Sequence, residues 1–356
     1  MPPSQPLQAR VLDWFAVHRR DLPWRRTYDP YQVWISEIML QQTRMERVVF
    51  YFSRWLTRFP DIASLAAADE DEVLSLWEGL GYYSRARNLH RAARLLAGTG
   101  GTVPDCHDSL RKLPGIGPYT AAAIMSIAFN RDYPVVDANV ERLFSRLFDL
   151  STPVKENLAF IRQQAAAMLP AGRSRDFNQA LMELGALVCL PKKPRCGSCP
   201  VVHACAAHQH QTVHERPVAV AGRKSILIEM ACGILVRDNR ILIQKRQADD
   251  VWANLWEFPG GRLQEGETPE QAVVREFEEE TGLAIAGLKK ITAVRHSYMH
   301  YRVTLHGFFC QAPEGEPALH AAQENRWVRF EELDDFAFPA GHRKLIKFLQ
   351  ESGFGS

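Results

Sequence analysis

Four cysteines spaced Cys189-x6-Cys196-x2-Cys199-x5-Cys205 fall in one short stretch, while Cys106, Cys232 and Cys310 are scattered. So tight a stretch presents four thiols only around a common ligand or as two cramped disulfides. Thiolates select soft metals, and four of them suit zinc or a [4Fe-4S] cluster. Zinc sites usually pair short C-x2-C spacings on both sides. Here only the middle pair is that close, and the outer gaps of six and five residues suit a cubane corner better, with a structural zinc or a disulfide knot as the plainer alternatives. Carboxylates make the second group. Asp137 follows Val135-Val136 at an expected helix start, an ordinary N-cap position that would also fix its orientation. Glu37 lies on an apolar helix, in Ser36-Glu37-Ile38-Met39-Leu40-Gln41-Gln42-Thr43, where a solvated acid or a buried ion pair is the plainer reading. Glu276, Glu279 and Glu280 stand at i, i+3 and i+4 and share one helix face. Three like charges together are unfavourable unless a cation joins them, and Mg2+ is the hard-ligand choice.

These groups need elements to position them. A chain of 356 residues has room for two ordinary domains. Its 46% apolar and 24% charged residues describe a globular protein rather than a disordered one. The start, MPPSQPLQAR, lacks the apolar core of a signal peptide, and the longest apolar stretch, around Ala121 to Phe129, is too short to span a bilayer. A cytoplasmic location without a membrane partner is expected, in keeping with reduced thiols. The net charge of +2 hides an asymmetry. Residues 1–225 carry 28 Lys and Arg against 21 Asp and Glu, a net +7, and residues 226–356 carry 15 against 20, a net −5. A basic first portion suits contact with phosphates.

Residues 1–205 read as helical. Asp29-Pro30 opens one helix, and Asp69 to Leu80 forms another that Gly79 and Gly81 stop. Residues 206–224 lose periodicity and contain Pro217 and Gly222, so they read as a linker, with His203, His208, His210 and His214 as solvated side chains. From residue 225 to 356 the pattern is mixed α/β: strand-like ILIEMACGILV, RILIQKR and VTLHGFFC, a helix from about Pro269 to Glu280, and a last helix from about Gly341 to Gln350. The expected fold class is therefore multidomain, all-α first and α/β second.

Leu113-Pro114-Gly115-Ile116-Gly117 joins two helices, the second running from Pro118 to about Phe129. Gly115 and Gly117 permit a tight turn whose N–H groups point outward at the positive end of that helix. This is the pattern of a helix-hairpin-helix, which grips a DNA phosphate without reading sequence. It lies about seventy residues before the cysteines, which are spaced as in the endonuclease III and MutY group of DNA glycosylases. Ser36 to Thr43, Gly79 to His90 and Phe177-Asn178-Gln179 complete a close resemblance, over essentially the whole chain, to the MutY-type adenine DNA glycosylase family.

That resemblance implies roles. Glu37 would protonate the leaving adenine at N7, and Asp137, held ionised by cap-like hydrogen bonds, would stabilise the oxocarbenium ion, as paired carboxylates do in glycoside hydrolysis. Tyr119 and Asn139 would support that step. Tyr119 stands where relatives that also cut the backbone carry a lysine; a phenol forms no imine, so a monofunctional enzyme is expected. Lys112 reads as a phosphate contact. Gln42 and Tyr82 would wedge into the duplex beside the flipped nucleotide, and Trp24 and Arg25 would wall the adenine pocket. The cysteines Cys189, Cys196, Cys199 and Cys205 would hold the [4Fe-4S] cluster, with Lys192, Lys193 and Arg195 around a DNA-contacting loop. The partner would be double-stranded DNA with adenine opposite 8-oxoguanine or guanine, met by a monomer at the nucleoid. One departure is Ala138, where the family usually has Gly; it is tolerable if its backbone is helical.

The second domain resembles MutT. Gly261-x5-Glu267-x7-Arg275-Glu276-Phe277-x-Glu279-Glu280-Thr281-Gly282-Leu283 fits the Nudix box, with Phe277 in place of a smaller aliphatic residue. In most MutY-type proteins the box is eroded. Here two readings compete, a relic whose helix still packs and a hydrolase acting on a nucleoside diphosphate derivative with Mg2+. In the loop that would read the opposite base, Tyr298 and His300 match a Phe-Ser-His element, but Met299 cannot act as its hydroxyl. Weaker discrimination between 8-oxoguanine and guanine is expected. The rival functions are a bifunctional glycosylase and lyase, a Nudix pyrophosphatase recruited to DNA by its first domain, and a DNA-binding repair scaffold. Tyr119 counts against the first of these, and the pair Glu37 and Asp137 against the others.

Overall fold

A computed structural model describes residues 6–220, 225–298, 300–312 and 315–354. It divides into two compact units, Met1–Ala67 with Asn88–Ala221, and Ala68–Arg87 with Gly222–Ser356. The first is helical and the second is built on a sheet, as the two hydrophobic patterns require.

In the first unit the helix Pro30–Leu40 is buried on nearly every side, from Tyr31 to Met39. Asp29 starts it by accepting a 2.9 Å hydrogen bond from the Gln32 N–H, and Pro30 supplies a preset first turn. Glu37 is therefore carried inside by a helix with no solvent face. The helix Ala138–Leu147 begins at Asp137, whose side chain accepts from the Val140 N–H at 2.8 Å. Val140, Leu143 and Phe144 pack it against Val11, Phe15 and Phe177. Ala138 is its first residue and does not have a positive φ, so the methyl group costs no strain.

The hairpin before Pro118–Ile127 turns at Gly115, with φ of 78°. A Cβ there would lie 2.7 Å from the Asn88 side chain, so only glycine closes this turn. Residues 206–216, expected as linker, instead carry a short helix at Ala206–Gln209 and a 3-10 turn at Val213–Glu215, packed in the first unit. His210 is not merely solvated: its Nδ1 lies 2.8 Å from Asp149. The missed signal is polar, because Asp149 also accepts from Thr212 and pairs with Arg216.

Among the described residues the second unit has seven strands: β1 (Ile226–Arg237), β2 (Arg240–Arg246), β3 (Trp256–Glu257), β4 (Gly260–Arg262), β5 (Ala286–Tyr298), β6 (Tyr301–Gln311) and β7 (Ala322–Arg329). Strand β1 runs parallel to β6, with Ile228 opposite Val303, and antiparallel to β2 and β4. One core gathers Phe258, Leu305 and Leu345 on the side of the last helix, Ala340–Glu351. The other gathers Leu242, Val273 and Phe277 on the side of the helix Pro269–Thr281. That helix opens with a Thr268–Gln271 capping box and closes at Gly282 in the left-handed region. Phe277 is fully buried, and its ring takes the space a Cβ on Gly233 would need, 2.9 Å away. An aromatic ring thus fits where the box usually has a smaller residue.

The segment Ala68–Arg87 groups with the sheet through polar contacts. Lys245 pairs with Asp71 at 2.7 Å, Arg343 with Glu78, and the Tyr83 hydroxyl donates to the Phe338 carbonyl at 3.1 Å.

Candidate active site

The helices Pro30–Leu40, Pro118–Ile127, Ala138–Leu147 and Ser174–Leu187 surround a cavity of about 640 Å3. Its lining includes Trp24, Arg25, Glu37, Gln42, Tyr119, Asp137 and Asn139. The volume is that of an ordinary small-molecule pocket. Seven of the residues singled out from sequence are thus brought to one place.

Glu37 is 6% exposed. Burial lifts its carboxyl to about 7, against the Tyr119 hydroxyl, which donates to Oε2 at 3.3 Å and pulls the other way. Asp137 is also raised by burial, although the Val140 N–H and the Asn139 amide, donating at 2.8 and 2.7 Å, hold it down. The cap-like bonds expected from sequence are present, and desolvation acts against them.

A third carboxylate, Glu183, was missed by sequence reasoning. It is buried, which alone would raise it, yet it is held at about 2 by Arg20 and Arg25. Arg20 Nε donates at 2.8 Å and Arg25 Nη2 at 3.1 Å. Arg25 is thereby fixed in the wall, and Trp24 stands edge-on to Phe52 with centroids 5.1 Å apart. A Glu six residues before Cys189 gives no local sign of two arginine partners 160 residues away.

The cysteine loop adjoins this site through one helix. Cys189, Cys196, Cys199 and Cys205 line a common small pocket and form no disulfide. Arg146, almost fully buried, lies with Nη1 3.3 Å from the Cys189 sulfur and donates to the carbonyls of Leu190 and Pro191. One turn nearer the carboxylate, Arg142 donates to the Cys189 carbonyl at 2.8 Å and to Asn139 Oδ1 at 2.9 Å. Asn139 in turn holds Asp137. The i, i+4 spacing of Arg142 and Arg146 puts both on the face toward the loop.

Gln42 is exposed and has φ of 57°. In the second unit Tyr82 has φ of 51°. Positive φ is uncommon outside glycine and costs on the order of 1–3 kcal/mol, and such strain clusters at functional positions. Tyr82 and Tyr298 lie with ring centroids 5.7 Å apart, and His300 is tilted against Tyr301 at 4.2 Å. Met299 lies outside the described residues.

The Nudix box is a different arrangement. Glu280 turns inward, accepting from the Gly260 N–H at 2.9 Å and the Gln244 amide at 2.7 Å; burial and the nearby Glu257 push it up to about 8. The Glu276 carboxylate packs on Gly261, where a Cβ would lie 2.4 Å from it. Arg275 donates to Glu267, Glu276 and Glu279 at 2.8, 2.8 and 3.1 Å. Among the described residues no three His, Cys, Asp or Glu side chains form a preformed metal-ion group.

A helical unit with a glycine hairpin, a carboxylate-lined cavity and a cysteine loop defines a class. Residues 35–166 match the HhH-GPD superfamily of base excision DNA repair proteins, and residues 230–348 match the NUDIX domain. A solved thermostable thymine-DNA glycosylase is 31% identical with a TM-score of 0.53, covering 57% of this chain and 95% of its own. The adenine DNA glycosylase of Rattus norvegicus is 32% identical over 97% of this chain and 78% of its own length. Those of Homo sapiens (32%, 96% and 73%) and Mycolicibacterium smegmatis (38%, 68% and 84%) are similar as well. The chain belongs to the adenine DNA glycosylase family.

Proposed function

We propose that this protein removes adenine mispaired with 8-oxoguanine or guanine in duplex DNA, leaving an abasic site. It is an N-glycosylase, a hydrolase of base excision repair, and the observation that carries the mechanism is Glu37, lifted by burial to about 7, in one cavity with the capped carboxylate of Asp137. With adenine flipped into that cavity, protonated Glu37 gives its proton to N7, and the N9–C1′ bond breaks with its electron pair leaving on the base. Asp137, ionised and oriented by Val140 and Asn139, faces the positive charge that develops at C1′. Water adds to C1′ and yields its proton to the Glu37 carboxylate that the first step leaves. Tyr119 orients Glu37 and, being a phenol, forms no Schiff base with the sugar, so the phosphodiester backbone stays intact. Gln42 and Tyr82 are the residues assigned to hold the space beside the flipped nucleotide, and Tyr298 and His300 to face the opposite base.

Cys189, Cys196, Cys199 and Cys205 are assigned as ligands of a [4Fe-4S] cluster. Four unpaired thiols around one pocket, with the Arg146 guanidinium beside Cys189, make a soft anionic donor set of the right kind. When bound, such a cluster would fix the loop carrying Lys192, Lys193 and Arg195.

A second activity has one observation in its favour: the complete box whose Glu276 and Glu280 are seated on the Gly260-Gly261 turn. On this reading Glu276, Glu279 and Glu280 would hold Mg2+, which would polarise the diphosphate of an oxidised nucleotide. Mg2+-dependent turnover that Glu279→Gln removes while adenine excision continues supports it, and no turnover with the wild-type chain on any oxidised purine nucleotide defeats it. The primary reading is tested on a duplex with one adenine opposite 8-oxoguanine, half of each sample being treated with alkali. Breaks only after alkali are expected; breaks without alkali would mean a lyase, and no alkali-sensitive site would remove the proposal.

A further inference from the structure

The loop 247–255, between β2 and β3, holds two tryptophan environments within a few residues. Trp256, on β3, is 0% exposed in the core, but Trp252 is half-exposed, next to Val251 at 67%. The loop is fixed on both sides of Trp252. Arg87 donates to the Ala253 carbonyl at 2.7 Å, Gln323 donates to Asn254 Oδ1 at 2.7 Å, and Asn254 donates to Glu70. Asp250 is paired to Arg246, whose guanidinium lies 5.6 Å from the Trp252 ring. A partly exposed indole thus sits in a loop that backbone and polar bonds hold in place.

Trp252 also adjoins the pair already described. Its ring lies 5.9 Å from Tyr298 at 67°, and Tyr298 lies 5.7 Å from Tyr82 at 41°. The three rings follow one another, each partly exposed and none stacked parallel on the next. Aromatic faces bind nucleobases by stacking whatever their sequence, and preorganised rings lose little entropy in doing so. We propose that Trp252 is a further DNA-contacting residue, the third ring of the surface that takes the purine opposite the target adenine. This rests on the reading of Tyr82 and Tyr298 given above, and extends it to a loop outside the segments that suggested it.

The test uses the full-length, cluster-loaded chain and a duplex with uncleavable 2′-fluoro-2′-deoxyadenosine opposite 2-aminopurine, reading affinity and 2-aminopurine quenching. Trp252→Ala and Tyr298→Ala are each expected to weaken binding roughly tenfold and to relieve quenching, with Trp252→Phe close to wild type. Trp252→Ala placed in the Tyr298→Ala chain should weaken binding again, because a ring that only propped Tyr298 would have nothing left to lose. Loss with Tyr298→Ala but none with Trp252→Ala, alone or combined, overturns the proposal and leaves the earlier reading standing. An effect of Trp252→Ala that vanishes in the double variant overturns it as well, since Trp252 would then only support Tyr298. No loss with either single variant removes both.

Discussion

The cavity of the first unit and the acidic helix of the second both gather carboxylates, but Glu37 in the one and Glu267 bound to the other are compensated in opposite ways, while Glu280 on that helix is buried and raised like Glu37. Glu37 has a phenol beside it and Arg25 acting on it only as a nearby charge, and burial outweighs both to raise it to about 7. Arg275 instead spreads over Glu267, Glu276 and Glu279, and Glu267 is held down at about 2 by that hydrogen bond. The same contrast recurs inside the cavity, where Glu183 with two arginines stays at about 2. A carboxylate without a cation is poised to carry a proton near neutrality, while one with a cation is a structural anchor. Chemistry follows the surroundings of the acid, not the acid.

The largest break in this comparison is Glu37→Gln. It should lower single-turnover adenine excision by about 10²–10⁴-fold, the usual range for loss of a general acid, with duplex affinity retained. Excision within tenfold of wild type would place the acid elsewhere. Next comes Phe277→Ala, which empties a ring-sized space above Gly233 and should cost about 3–5 kcal/mol of second-unit stability by denaturant unfolding. Glu37→Gln also sharpens the pH side. An unfolded Glu titrates near about 4.3 and the folded one near about 7, so the folded state holds the extra proton between them. The stability linked to Glu37 is therefore full below the unfolded value and is lost as pH rises through about 7. The variant should gain on the order of 1–3 kcal/mol over wild type at pH 8 and little at pH 4. A smaller effect is expected of Arg142→Gln, which frees Asn139 and the Cys189 carbonyl together; excision should fall about tenfold while iron content stays unchanged. Equal excision would show that Asn139 needs no such support.

Much of the site was legible because it is written in contiguous stretches. Ser36 to Thr43, Val135 to Val140 and the four cysteines each carry type and spacing together. What was not legible comes from afar or from volume. Glu183 gains its meaning from Arg20 and Arg25, and Arg142 and Arg146 from a loop that begins some forty residues on. The segment Ala68–Arg87 looks like one more helix of the first unit, yet Asp71, Glu78 and Tyr83 find their partners at Lys245, Arg343 and Phe338. Residues 206–216 lack an apolar period because polar contacts to Asp149 hold them. The fit of Phe277 depends on an absent methyl group on another strand, which no local pattern records.

The most direct measurement is the single-turnover rate of adenine release from an 8-oxoguanine-paired duplex between pH 5.5 and 9, with binding kept saturating. The rate should hold steady below about 7 and then fall toward tenfold per pH unit, as Glu37 loses the proton it must donate. A rate that stays flat to pH 9 in the wild-type chain would contradict the assignment of Glu37 as the acid.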